Sequence, residues 1–120
     1  MDLTDRHKIY EAAKEVKENI GSVSILINNA GIVSGTTVLG TPDEKIIRTF
    51  DVNILAHFWT IKSFMGDMII KKNGHIVNIA SLAGHSGTNK LVDYCSSKFA
   101  AVGLDDALKV RLLYDFFIKY

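Results

Sequence analysis

The chain is poor in cysteine and proline and has no excess of charge of either sign. Its one cysteine, Cys95, cannot close an internal disulfide, and no N-x-Ser/Thr acceptor occurs, so the chain reads as one kept in a reducing compartment. The 14 basic residues offset 13 acidic ones to a formal net charge of +1, spread without a basic stripe, which argues against nucleic acid as a partner. No apolar run approaches the roughly 18 residues of a membrane span, and the opening MDLTDRHK lacks the apolar core of a signal peptide. No membrane segment is expected in the chain. His57 and His85 lack partners at metal-ligand spacing, so they read as structural or loop residues and no metal is expected. Repeats and low-complexity linkers are also missing.

What remains is the composition of an ordinary globular domain, 48% hydrophobic and 22% charged over 120 residues. Residues 5–19 place Ile9, Ala12, Ala13 and Val16 on one helical stripe, and Gly21 supplies the stop. VSILIN (23–28) is a short β-branched run that suits a strand covered on both faces. TPDE (41–44) offers Thr41 as N-cap, the only proline at the first helical position, and Glu44 three residues after the cap. The helix that follows is expected to reach about residue 71. Its apolar stripe runs through Ile46, Ile47, Phe50, Ile54, Phe58, Ile61, Phe64 and Met65. NGHIVNIAS (73–81) reads as a turn and a second buried strand, and a third helix begins near residue 92.

Strand, helix, strand, helix with apolar strands predicts a parallel α/β sheet. Ligands of such sheets bind at the carboxyl ends of the strands. Those ends are NNAG (28–31) and Ser81 with its loop. Asn28 and Asn29 read equally well as turn formers.

DYCSSK (93–98) sets Tyr94 and Lys98 at i, i+4 spacing, on one face of the third helix. Taken alone, a tyrosine and a lysine so spaced are most often an amphipathic residue and a solvated charge. Taken in order, N-N-A-G at 28–31, D-V-N at 51–53, Ser81, and Tyr94 with Lys98 thirteen residues later resemble the short-chain dehydrogenase/reductase superfamily. The wording around them (SILINNAGIV, DVNILAHFWT, GHIVNIASLAGHSG, DYCSSKFAAVG) is closest to the branch of microsomal and lipid-droplet retinol and 17-beta-hydroxysteroid dehydrogenases, and the likeness runs from residue 1 to about 104.

The resemblance implies a Rossmann-like, doubly wound parallel sheet in three αβα layers. It also implies NAD- or NADP-dependent hydride transfer between a lipid alcohol, retinoid or steroid-like, and its carbonyl. In that reading Tyr94 is the general acid in reduction and the general base in oxidation. Lys98 promotes ionisation of the phenol, as an ammonium beside a phenol does, and holds the nicotinamide ribose. Ser81 hydrogen-bonds the substrate oxygen. Asn53, locally unfavourable inside a helix, supports a proton relay to the lysine. The implied cofactor contacts are Asp2, Asn29, Ala30, Gly31, Tyr94 and Lys98. Gly31 suits a close backbone approach, while Asp2 reads equally as an adenine contact or, with Asp5, as a helix cap.

The chain departs from the pattern at two places. It contains no T-G-x-x-x-G-x-G phosphate loop, so the first βαβ unit is expected to be absent and NAD and NADP are not distinguished. Residues 105–120 diverge, with FFIK (116–119) resembling the segment after the next family strand but arriving early. The chain therefore reads as one partial nucleotide-binding domain, truncated at both ends. The alternative function is an inactive remnant, unstable or acting only by association with a family member. The strand at 23–28 is expected to have an open edge. A second copy would pair through the helices at 42–71 and 92–113. Localisation at the cytoplasmic side of the endoplasmic reticulum membrane or at lipid droplets follows from the resemblance alone.

Overall fold

A computed structural model describes the backbone of residues 1–117 and the side chains of residues 1–110. Helix α1 (Arg6–Asn19) opens where Asp5 accepts hydrogen bonds from His7 N (2.9 Å) and Lys8 N (3.4 Å), satisfying two of the free amides of the first turn. It ends where Ile20 N and Gly21 N both donate to Val16 O, a turn for which Gly21 takes φ +111°, in the left-handed region. Strand β1 (Ile25–Asn28) follows. It is shorter than VSILIN because only these four residues have ladder partners; Val23 packs into the core instead.

The long helix is interrupted by a change of pitch. Helix α2 (Asp43–Phe50) passes without a break into a π turn (Asp51–Leu55), in which Ala56 N donates five residues back to Asp51 O, and then into α3 (Ala56–Lys71). The expected Thr41 cap does not form. Pro42 occupies the cap position and its carbonyl accepts from Lys45 N and Ile46 N, while Thr41 Oγ1 donates to Thr37 O at 2.7 Å. Asp43 and Glu44 still favour the helix N-terminus electrostatically. The expected apolar stripe also fails to run through. Ile54, Ile61 and Phe64 are buried, but Ile47 and Phe58 are exposed, and Val52 and Met68 take core positions. The extra residue of the π turn shifts the register between α2 and α3, so a 3.6-residue stripe read across it meets solvent at Phe58; Ile47 precedes the turn and is exposed within α2 itself.

Strand β2 (His75–Asn78) lies parallel to β1 in the register Ile25–His75, Leu26–Ile76, Ile27–Val77 and Asn28–Asn78. Leu26 and Ile76 point to one face and pack with Ala13 and Val16 of α1 and Phe64 and Met68 of α3. Helix α4 (Val92–Phe117) lies on this same face, since Asp105 accepts a hydrogen bond from Asn78. The opposite face is uncovered: Ile25 and Ile27 are 60% and 59% exposed. The strand thus differs from one covered on both faces, and the sheet from the expected three αβα layers, because α1, α3 and α4 form a single layer on one side among the described residues. The β1 edge away from β2 has no strand partner among the described residues. Helix α4 runs without interruption to Phe117, so the FFIK resemblance to a segment beyond another strand is not reflected at Phe116 and Phe117. Ile118 to Tyr120 lie outside the described residues.

Met1, Leu3, Ile9, Leu26, Phe64 and His57 are among the residues around an open cavity of about 310 Å³ between α1, β1 and α3. His57 is 3% exposed, and neither ring nitrogen has a hydrogen-bond partner among the described residues. Burial, then the Lys98 charge, pushes its pKa from 6.5 down to about 4.

Placing a charge on the bare face, by Ile27→Lys, is expected to reduce self-association with little change in folding, because the side chain already meets solvent. Sedimentation velocity reads this, and an unchanged distribution would exonerate the face. A second expectation concerns His57. The unfolded imidazole takes its proton near pH 6.5 and the folded one only near 4. Stability is therefore full above about pH 6.5 and falls by roughly 3 kcal/mol as the pH drops through that window. His57→Leu should raise the midpoint of thermal unfolding at neutral pH and flatten its dependence between pH 6.5 and 4. A variant that keeps the slope would assign it to other groups.

Candidate active site

The carboxyl ends of both strands are fixed by a ladder of side chains. Thr60 Oγ1 of α3 donates to Asn28 Oδ1 (2.7 Å), Asn28 Nδ2 donates to Asn78 Oδ1 (2.9 Å), and Asn78 Nδ2 donates to Asp105 Oδ1 of α4 (3.1 Å). Asn28 is therefore the last ladder residue of β1, turned toward the helices, and not a turn former. Each carboxamide would be costly to bury unpaired, so the two asparagines hold the strand ends in register against α3 and α4. Asn29, Ala30 and Gly31 leave this point as exposed backbone.

The π turn brings Asn53 to the centre of the site. Its side chain is 0% exposed. Oδ1 accepts from Ile32 N (2.8 Å), and Nδ2 donates to Ile32 O (2.9 Å) and to Ser97 Oγ of α4 (2.9 Å). One carboxamide thus joins the loop after β1, the long helix and α4. Ser97 Oγ in turn donates to Tyr94 O at 2.7 Å.

Helix α4 carries Tyr94 and Lys98. Lys98 is 3% exposed, and its Nζ donates to Ile79 O (2.8 Å), just beyond β2. That is the only hydrogen bond of this ammonium among the described residues, so two of its three protons are available to a ligand. Burial pushes the Lys98 pKa below the ordinary lysine value. Nζ lies 5.8 Å from the centre of the Tyr94 ring, and Tyr94 is partly exposed. A Cβ built on Gly31 would lie 3.5 Å from Asn53 Oδ1 and 3.6 Å from Lys98 Nζ. Gly31, Asn53 and Lys98 therefore meet at one point, with Tyr94 beside it.

Ser81 stands at the start of a 3₁₀ turn (Leu82–Gly84), where its Oγ accepts from Ala83 N at 3.2 Å. The turn packs directly on α4: a Cβ at Gly84 would lie 2.8 Å from Lys98 O, an approach only glycine permits. No hydrogen bond joins Ser81 to Tyr94 among the described residues. Asp2 is exposed and accepts from Thr4 N (3.0 Å) and Thr4 Oγ1 (2.9 Å), which hold its carboxyl below the usual range. Asp5 is the cap of α1, so the two readings of Asp2 part here: it does not cap the helix.

The sequence reading passed over Asp93, Ser97 and Asn78. Asp93, 7% exposed in the first turn of α4, accepts from Ser34 Oγ (2.8 Å) and Thr49 Oγ1 (2.9 Å). Burial alone would raise its pKa, but these two hydroxyls and the amides of Tyr94 and Asp93 outweigh burial and lower it. Asn78 had a signal, a polar residue in an otherwise apolar strand, whereas Asp93 and Ser97 had none beyond their places on α4. No group of three or more metal-ligating side chains occurs among the described residues.

The site thus offers a buried ammonium with two unused protons, close to Gly31 and Asn53. Comparison with known proteins gives the family. A family model described as short chain dehydrogenase matches residues 1–115. Estradiol 17-beta-dehydrogenase 11 of Mus musculus is 54% identical over 112 residues, covering 93% of this chain and 38% of that protein. Epidermal retinol dehydrogenase 2 of Homo sapiens is 50% identical over 110 residues, covering 92% of this chain and 36% of that protein. The chain thus spans little more than a third of the curated relatives it matches. Among solved structures, a metagenomic short-chain oxidoreductase in complex with NADP superposes with a TM-score of 0.89 at 30% identity, over 95% of this chain and 52% of its own. A 4-hydroxyisoleucine dehydrogenase complexed with NADH gives 0.90 at 30% identity, over 96% and 51%. With the parallel Rossmann-type strands, the clustered Asn53 and Lys98, and a match over nearly its whole length, the chain belongs to the short-chain dehydrogenase family.

Proposed function

We propose that this site carries out NAD- or NADP-dependent hydride transfer between the CH–OH group of a lipid alcohol, retinoid or steroid-like, and the matching carbonyl. The observation that supports it most is the buried Lys98 ammonium, bonded once to Ile79 O and set 5.8 Å from the Tyr94 ring. When bound, the nicotinamide supplies the hydride acceptor or donor. Lys98 holds the ribose hydroxyls through its unused protons, beside the Tyr94 ring. Tyr94 takes the hydroxyl proton as the alcohol carbon loses hydride, and gives it back in reduction. Ser81 donates to the substrate oxygen, stabilising the charge that grows there. Asn53 holds the helices together and stands beside Lys98 in the proton path. Asn29, Ala30, Gly31 and Asp2 form the adenosine side.

The relatives' printed names, a steroid and a retinol dehydrogenase, support a lipid-like substrate. Location at the endoplasmic reticulum or lipid-droplet surface rests on the family resemblance; no helix of the described residues is long and apolar enough to cross a membrane. Pairing with a second copy would use the outer faces of α2–α3 and α4, where Phe58 and Phe99 are exposed. The whole stretch is read as one partial nucleotide-binding domain. A second reading, a chain inactive by itself that works only in association with a family member, is favoured by the unpaired edge of β1.

Two measurements separate these readings. Without a T-G-x-x-x-G-x-G loop the 120-residue chain has few amides for a pyrophosphate, so cofactor fluorescence titration is expected to give no micromolar binding of NADH or NADPH. Micromolar affinity would remove the second reading. For the chemistry, residues 1–115 can replace the matching segment of the mouse estradiol dehydrogenase. In that chimera Tyr94→Phe should lower turnover by at least about 100-fold, the usual scale of general acid–base catalysis, with cofactor affinity nearly unchanged. Lys98→Ala should lower both. A Tyr94→Phe chimera as active as its parent would eliminate Tyr94 as the proton donor.

A further inference from the structure

The residue that aims Tyr94 is its neighbour. We infer that Asp93 is the positioning residue for Tyr94, pinning the first turn of α4 to the loop after β1 through Ser34 and to α2 through Thr49. The inference rests on the proton-transfer role proposed above for Tyr94, and its geometry stands independently of that role.

Tyr94 itself has no side-chain hydrogen bond among the described residues, so no polar tether of its own fixes the ring, and the backbone that carries it sets the point from which the ring projects. That backbone is clasped on both sides. On one side Asp93 spreads its two oxygens between separate elements, Oδ1 accepting from Ser34 Oγ (2.8 Å) and Oδ2 from Thr49 Oγ1 (2.9 Å). On the other, Ser97 Oγ holds Tyr94 O (2.7 Å) and is itself held by Asn53. The second clasp fixes Tyr94 along the helix but leaves the first turn able to fray, since helix ends lack intrahelical partners. The Asp93 carboxylate closes that freedom. Thr49 Oγ1 also lies 2.8 Å from Lys45 O, but it has a single proton, and the ionised carboxylate is the stronger acceptor. Asp93 is kept ionised by these bonds, against the opposing effect of burial. Lys98, anchored separately on Ile79 O, does not depend on the Asp93 clasp.

The full chain labelled with 3-fluorotyrosine tests this by fluorine NMR. The chain holds four tyrosines, and Tyr94→Phe identifies the Tyr94 line by its loss. Asp93→Ala is expected to broaden or split the Tyr94 line while leaving the line of Tyr10, on α1, unchanged. Ser34→Ala combined with Thr49→Val, which keeps Asp93 but removes both its partners, should do the same. Adding Asp93→Ala to that pair should then change nothing more. If Asp93→Ala disturbs every line by unfolding, the Ser34/Thr49 variant decides. A sharp, unmoved Tyr94 line in that variant overturns the inference, as does further broadening when Asp93→Ala is added. A Tyr94→Phe chimera that stays active would sink the catalytic role and leave these spectra as they are, so the two failures are distinct.

Discussion

The structure turns on one buried carboxamide. Asn53 is withdrawn completely from water, and burying an amide without partners costs roughly 1–3 kcal/mol on the scale of protein mutational data. It is stable there only because Ile32 supplies both an N–H and a C=O and Ser97 supplies a hydroxyl oxygen. Those three bonds oblige three segments distant in sequence to converge. The π turn is the local adjustment that makes this possible, since an α-helical Asp51–Leu55 would carry Asn53 to a different azimuth.

Convergence at Asn53 creates the setting for Lys98. An ammonium so deeply buried, with no carboxylate partner and a single carbonyl to satisfy it, is a poor stabilising element. Replacing it by an apolar chain would suit the core better. A charge kept in such a place, beside a glycine that leaves ligand space and near a phenol, is explained by chemistry more readily than by stability. His57 makes the contrast. It is equally buried and has no hydrogen-bond partner among the described residues, and burial first, then the Lys98 charge, keeps it neutral.

Much of this was legible in the chain, for identifiable reasons. Tyr94 and Lys98 are four apart in a stretch with no helix breaker, so helical geometry alone brings them together. The strands announced themselves through short β-branched runs, and NNAG and Ser81 marked their ends. Other features depend on partners that sequence spacing does not reveal. Thr41 has the chemistry of a cap, but Thr37 O lies within its reach and takes its proton. Nothing in DVNIL distinguishes a π turn from an α turn, so an apolar stripe carried on to Phe58 crosses the point where the period changes, whereas Ile47, before that point, is exposed because nothing among the described residues covers it. Ile25 and Ile27 carry the pattern of buried residues, and their exposure is a property of what packs above them, not of the strand itself.

Asp93 illustrates the same limit from the functional side. An acid in the first turn of a helix is commonplace because the helix dipole favours it, so its position in the sequence carries little information. Its meaning lies in Ser34 and Thr49, fifty-nine and forty-four residues away. Seen with Ser97 and Lys98, it completes a set of three tethers along six residues of α4, to α2, to the π turn and to the end of β2. Tyr94 stands between the first two tethers and has no side-chain hydrogen bond of its own among the described residues. The phenol of Tyr94 is therefore placed by the turn that carries it, between a carboxylate fixed to α2 and a hydroxyl fixed to the π turn.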